Sequence, residues 1–174
     1  MVDASVVVRW LVPGPFDTEC QAFLDRCSVL DASLLAPTCL YSEVANALYR
    51  LCLAPPPAIP LPLETAVALF QTVPGFEIVL VDRAVRLASG EIALAPQWVQ
   101  TLSGNVHDYR LEIYARAMTL SHPSRRGSLF DMAYAALAEQ AQTIMWTIDE
   151  RFYNNARATG LAFVMHPGRD PLPE

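Results

Sequence analysis

The sequence contains no lysine; all 12 of its basic residues are arginines. That absence removes the phosphate-binding P-loop, which needs a lysine at the phosphates, together with protein-kinase chemistry and any Schiff-base lysine. A receiver domain of the response-regulator type is disfavoured for the same reason. Charge is scarce as well, at 17% of residues against 53% hydrophobic, which fits neither a disordered acidic tail nor a highly charged coiled coil. No apolar run reaches the ~18 uninterrupted residues of a membrane span. The opening MVDASVVVRWLVPG carries an acid at Asp3 and no basic leader, unlike a signal peptide. The expectation is a protein without a membrane anchor, located in the cytoplasm. The cysteines Cys20, Cys27, Cys39 and Cys52 form no CxxC pair, and His107, His122 and His166 form no HExxH and stand at no zinc spacing from them. Cys20 and Cys27, seven residues apart, share a helix face and read as small apolar packing groups.

What is present predicts one domain, since 174 residues with this apolar content support a substantial core. Short strand-like runs alternate with helical ones, which points to an α/β fold with a mostly parallel sheet and helices on its faces. Residues 1–3 read as a strand end, Ser5–Val12 as a short helix stopped at Pro13-Gly14-Pro15, and Phe16–Leu30 as a helix by its apolar period. Leu34–Ala36 reads as a buried strand, Thr38–Leu53 as a helix. The five prolines of LAPPPAIPLP (53–62) forbid a helix and predict an extended loop within the domain. Leu63–Val73 reads as a helix and Phe76–Val81 as the clearest strand. Residues 84–122 predict an insertion with two helices, Arg83–Ala93 and Val106–Thr119. Ser128–Ala141 is a helix, Thr143–Thr147 a strand, Glu150–Ala158 a helix capped by Gly160, and Leu161–Val164 a last strand. The domain is expected over 1–164, with 165–174 as a mobile tail.

Four acids carry the candidate chemistry: Asp3, Glu43, Asp131 and Asp149. Taken singly, each has a structural explanation. Asp3 and Asp149 precede helices as N-caps, Asp131 follows Ser128 in a short-armed capping box, and Glu43 sits beside the apolar face of its helix. Taken together they converge. Asp3 and Asp149 lie beyond the carboxyl ends of predicted parallel strands, where open α/β sheets bind ligands. Asp131 opens the helix before the strand of Asp149, and Glu43 lies in the first turns of a helix that follows another strand. Clustered carboxylates repel unless a cation sits among them, and such hard oxygen ligands suit Mg²⁺ or Mn²⁺. The net charge of −6 argues mildly against a broad basic nucleic-acid face, though not against a metal-dependent nuclease, where the ion reverses the local field.

The segments VDAS (2–5), APTCLYSEVANAL (36–48), SLFDMAYAALAE (128–139) and TIDERF (147–152) resemble the PIN domains of VapC-like toxins. The resemblance matches Asp3 to the family's opening D-x-S, Glu43 to its E-x-x-N-x-L helix, Asp131 to its S-x-x-D-x-x-Y helix and Asp149 to its T-x-D. It implies a three-layer α/β/α sandwich and a divalent-metal-dependent endoribonuclease, the toxin of a toxin–antitoxin pair. The implied partners are an RNA substrate, a cognate antitoxin protein and a second copy in a homodimer. In this reading Asp3, Asp131 and Asp149 ligate the metal directly, and Glu43 ligates through water or orients the nucleophile. Ser5, Ser128 and Thr147 are the companion positions, Ser5 and Thr147 fixing carboxylate rotamers. Glu150, next to Asp149, is a substitute ligand whose side chain should point elsewhere. Arg125 and Arg126, in the loop before Asp131, are candidate RNA phosphate contacts by bidentate hydrogen bonding, although two solvated loop arginines explain them as well. Arg9, beside Trp10, receives no catalytic role, and Tyr41, Tyr49, Phe130, Tyr134, Trp146 and Phe152 read mostly as core.

Two departures from the family pattern stand out: the long stretch before Asp131 and the proline-rich segment. Two other classes compete with the nuclease. One is a PIN-fold binding or scaffold module with little catalysis, which the complete acidic quartet opposes. The other is a small-molecule phosphohydrolase, which the absence of a DxD start and of lysine opposes.

Overall fold

The computed structural model describes residues 1–56, 58–81, 83–86, 92–95, 98–100, 106–121 and 128–174, and the backbone alone between 83 and 112. Helices and parallel strands alternate to form an α/β sandwich. At its centre lies an extended segment, residues 1–3, that joins two parallel ladders. On one side are β1 (Leu35–Ala36) and β2 (Val79–Leu80), paired Leu35 to Val79 and Ala36 to Leu80. On the other are β7 (Met145–Trp146) and β8 (Val164–Met165), paired Met145 to Val164 and Trp146 to Met165. The Val2 amide donates to the Leu35 carbonyl at 2.9 Å, the Trp146 amide to the Met1 carbonyl at 2.9 Å, and the Asp3 amide to the Trp146 carbonyl at 3.2 Å. The strand order is therefore β2, β1, residues 1–3, β7, β8. The runs are short and apolar on both faces, as expected of strands covered by helices on each side.

Each strand end feeds a helix. Residues 1–3 lead into α1 (Ala4–Leu11), followed by α2 (Asp17–Val29); β1 leads into α3 (Leu40–Cys52), and β7 into α7 (Glu150–Ala158). The proline-rich segment separates α3 from α4 (Leu63–Thr72). Only Val79–Leu80 of the expected 76–81 strand is extended, because Val73–Phe76 forms a 3-10 turn with Pro74 near its start. Gly160 follows α7 at φ +87°, the left-handed position in which glycine ends a helix without strain.

The insertion differs from expectation. In place of a helix over Arg83–Ala93, β3 (Arg83–Arg86) pairs antiparallel with β4 (Ile92–Ala95), from Arg83 opposite Ala95 to Arg86 opposite Ile92. A second antiparallel ladder joins β5 (Trp98–Gln100) to β6 (Val106–Asp108), and α5 (Tyr109–Leu120) begins only after it. The Ser89-Gly90 dipeptide in the sequence between β3 and β4 favours turns. Cross-strand pairing satisfies the backbone that an isolated helix would have satisfied internally.

The core gathers around α6 (Leu129–Ala141), which buries Met132 through Ala138 and Ala141. A helix buried on nearly every side needs small residues to let its neighbours approach, and Ala133, Ala135, Ala136 and Ala138 supply them. Phe23, Trp10, Phe76 and Trp146 fill the space between α2 and the sheet, with Phe23 and Trp146 ring centroids 4.8 Å apart. Cys20 and Cys27 are buried and free, packed as apolar groups on one face of α2. Residues beyond 165 lie against the domain. His166 is fully buried and edge-on to Phe16, its amide donates to Asp170 Oδ2 at 2.8 Å, and Arg26 Nε donates to the Pro173 carbonyl at 2.8 Å. No helix among the described residues is long and apolar enough to cross a membrane.

Candidate active site

Asp3 stands at the end of the central segment and Asp149 three residues beyond the end of neighbouring β7, each at the start of a helix. Asp3 Oδ1 accepts from the Val6 amide at 3.1 Å and caps α1; Asp149 Oδ1 accepts from the Phe152 amide at 2.8 Å and caps α7. Two hydroxyls join these ends. Ser5 Oγ donates to Asp3 Oδ1 at 2.6 Å, accepts from the Ile148 amide at 3.0 Å and lies 3.4 Å from Thr147 Oγ1. Thr147 Oγ1 in turn accepts from the Asp149 amide at 3.0 Å. Ser5 thus bonds the Asp3 carboxylate directly, whereas Thr147 holds the backbone of Asp149 and leaves its carboxylate to the Phe152 amide. Asp131 lies in the first turn of α6 inside a complete capping box: its amide donates to Ser128 Oγ at 3.1 Å, and its Oδ2 accepts from the Ser128 amide at 2.7 Å. The capping explanation and the site explanation hold together, since a cap uses one carboxylate oxygen and leaves the other.

A cleft of about 870 Å³ opens over these groups, lined by Ser5, Glu43, Ser128, Asp131 and Asp149. Asp3 lies beneath its surface, 5% exposed. Burial raises the Asp3 carboxyl from 3.8 to about 7, against the opposing pull of its Ser5, Thr147 and Val6 hydrogen bonds, and the negative charge of Asp131 adds to the rise. Burial also raises Glu43 and Asp131. The charge of Asp131 pushes on Glu43, and that of Asp149 pushes on Asp131. The four acids therefore sense one another through one electrostatic network. Among the described residues, no three acidic, histidine or cysteine side chains converge into a ready metal cage. The fit to a divalent cation rests on the donors: four hard carboxylates around one cleft, three of them penalised for their charge by burial. The Tyr134 hydroxyl beside Glu43 is a further observation. It is buried without a hydrogen bond of normal geometry, and burial together with the Glu43 charge drives its pKa upward.

Several cleft residues were not singled out by sequence reasoning as functional. Ser42, Asn46 and Arg50 project from α3 with Glu43, Arg9 from α1, and Phe130 from α6. Phe130 is 46% exposed and Tyr49 53%, so both depart from the core reading, whereas Tyr134, Trp146 and Phe152 are buried. The spacing 43, 46, 50 along one helix is the signal that finds Arg50. Glu150 does point away, pairing with Arg169 on the surface. Arg125 and Arg126 lie outside the described residues.

No curated protein matches the chain in sequence. The family pattern of the PIN domain matches residues 1–158. With its parallel sheet and the acids at the strand ends, the chain belongs to the PIN domain family, whose members are generally metal-dependent nucleases.

Proposed function

We propose that the chain is a divalent-metal-dependent endoribonuclease of the VapC type, a cytoplasmic toxin restrained by a cognate antitoxin protein and active as a homodimer. Its single domain spans 1–164, with 84–122 as an insertion. One observation carries this reading: acids from four separate segments meet electrostatically at one cleft, and the Ser5 hydroxyl and the Phe152 amide hold two of their carboxylates in place. Asp3, Asp131 and Asp149 would hold Mg²⁺ or Mn²⁺, with Glu43 at the edge. The ion would supply charge neutralisation at the scissile phosphate.

The protein's own groups do the rest. Ser5 keeps the carboxylate of Asp3 in its rotamer and the Phe152 amide that of Asp149, whose backbone Thr147 holds, so little reorganisation is needed when a strand arrives. The Ser128–Asp131 box does the same from α6. Glu43, raised by burial, is suited to take the proton of an attacking water at Oε1, since its Oε2 faces Cys39 Sγ at 3.8 Å. The enclosed floor around Asp3 keeps bulk water from that end of the cleft.

The test is RNA cleavage during a Mg²⁺ or Mn²⁺ titration, comparing the native chain with Asp131→Asn and checking the fold of each by circular dichroism. Metal-dependent cutting that falls at least ~100-fold in a folded variant supports the reading, since losing a direct ligand exceeds the 10–100-fold effect of groups behind it. Absence of cutting by the native chain across several RNA pools overturns it in favour of a binding module, which the −6 charge and the unconverged carboxylates also fit. Turnover of free phosphoesters with RNA left intact would point to a phosphohydrolase.

A further inference from the structure

The cleft is not uniformly acidic. Arg9 from α1 and Arg50 from α3 also line it, on the same two helices that start at Asp3 and carry Glu43. Arg9 is held in place: its Nη1 donates to the Val12 carbonyl at 3.0 Å and its Nε lies 3.7 Å from Asp17 Oδ1, too long for a hydrogen bond. Asp17 is itself fixed by the Gly14 amide, at 2.7 and 2.9 Å to its two oxygens. Gly14 leaves the space that the guanidinium occupies, because a Cβ there would stand 1.8 Å from Arg9 Nη1. Arg50 is exposed, and among the described residues it has neither an ion pair nor a hydrogen bond through its side chain. An unpaired guanidinium on the wall of a carboxylate-floored cleft is placed for an anionic ligand.

A polyanionic strand approaching a chain of net charge −6 is repelled at every phosphate except where local cations hold it. Along α3, the backbones of Glu43 and Arg50 stand about 10 Å apart at a rise of ~1.5 Å per residue, which is room for a second phosphate along the cleft wall. We propose that Arg9 and Arg50 form a phosphate-binding subsite that grips the nucleic-acid strand at a phosphate beside the scissile one. The two arginines make the cleft select a strand over an isolated phosphoester, because only a strand spans both ends. Arg9 supplies a preset charge, and Arg50 a fork that pairs in bidentate fashion on binding. This subsite rests on the ribonuclease reading.

The experiment measures binding of a short, labelled single-stranded RNA by fluorescence anisotropy across a salt series, with Asp131→Asn in every protein so that the strand stays intact. Arg50→Gln should weaken binding several-fold and lower the slope of log affinity against log salt by about 0.7, the value of one phosphate contact on a single strand. Arg50→Lys should restore the slope while recovering only part of the affinity. Arg9→Gln should lower the slope as well. Unchanged affinity and slope in Arg50→Gln, with RNA cut by the native chain, overturns the subsite and leaves the nuclease reading intact. A native chain that neither binds nor cuts RNA overturns both. Binding of polyglutamate that Arg50→Gln abolishes, with RNA binding unaltered, overturns the subsite in favour of an acidic protein segment.

Discussion

At one end of the cleft the side chains are anchored by strand ends and helix starts. Asp3 is 5% exposed, Thr147 is fully buried, and the hydroxyls of Ser5 and Thr147 both have assigned partners. At the other end Arg50 stands exposed on α3, and Arg9 is held only by a carbonyl and a distant carboxylate. The buried end is electrostatically strained; at the other end Arg50 is free to adapt, while Arg9 is preset with its Nε buried short of a hydrogen bond. Charges that must act on a developing transition state gain from being fixed beforehand in a dry place, whereas charges that only gather a ligand work well in water. The difference teaches that the carboxylate end trades folding stability for function and the exposed Arg50 does not.

The sharpest way to break that contrast is Asp3→Asn. A carboxyl raised in the folded state to about 7 contributes stability that is complete below about 4 and is lost as the pH rises through 7. The gap corresponds to at most about 4 kcal/mol. Asparagine caps helices as well as aspartate and has no charge to bury. The variant should therefore melt several degrees higher than the native chain at pH 8 in chelator, show little difference at pH 4, and lose RNA cleavage. Equal melting at pH 8 would show that the buried end carries no such strain. Ser128→Ala is milder: losing the cap should cost about 1 kcal/mol, and releasing Asp131 should slow cleavage about tenfold. Melting and cleavage assays read the two effects separately, and a stability loss with full activity would show that the box serves only the helix. The smallest effect belongs to Gly14→Ala. Its backbone is not left-handed, so alanine fits there, but Arg9 must move. Strand affinity should drop a few-fold with melting nearly unchanged, and an unaltered affinity would remove Arg9 from the cleft's function.

How legible each region was follows the same division. The buried end could be read because its signals are local. Acids sit directly after short apolar strands and directly before helices, and the Ser128–Asp131 spacing is itself a cap. The helix of 129–141 was plain from its length and unbroken apolar and alanine content. The arginine end was less visible because Arg50 looks like any exposed residue late in a helix, and only the cleft shows what it faces. Residues 83–95 misled for another reason. A mixed run of arginine, alanine and valine suits a helix locally, and the competing reading, a hairpin folding 83–86 back onto 92–95, needs both halves of the run to be weighed as a pair. The 76–81 run was read as one strand, yet Pro74 bends its start into a 3-10 turn and leaves two residues to pair.

Residues 1–3 are stitched between a strand 33 positions downstream and one more than 140 positions away. On a ribosome, this segment leaves the tunnel before either neighbour, and its Trp146 contact exists only after more than 140 further residues have been made. Pairings that span so much sequence form late and slowly. The cleft thus has a built-in delay: no fragment ending short of Asp149 can bring the acids together, so a growing chain carries the parts of the site long before it carries the site.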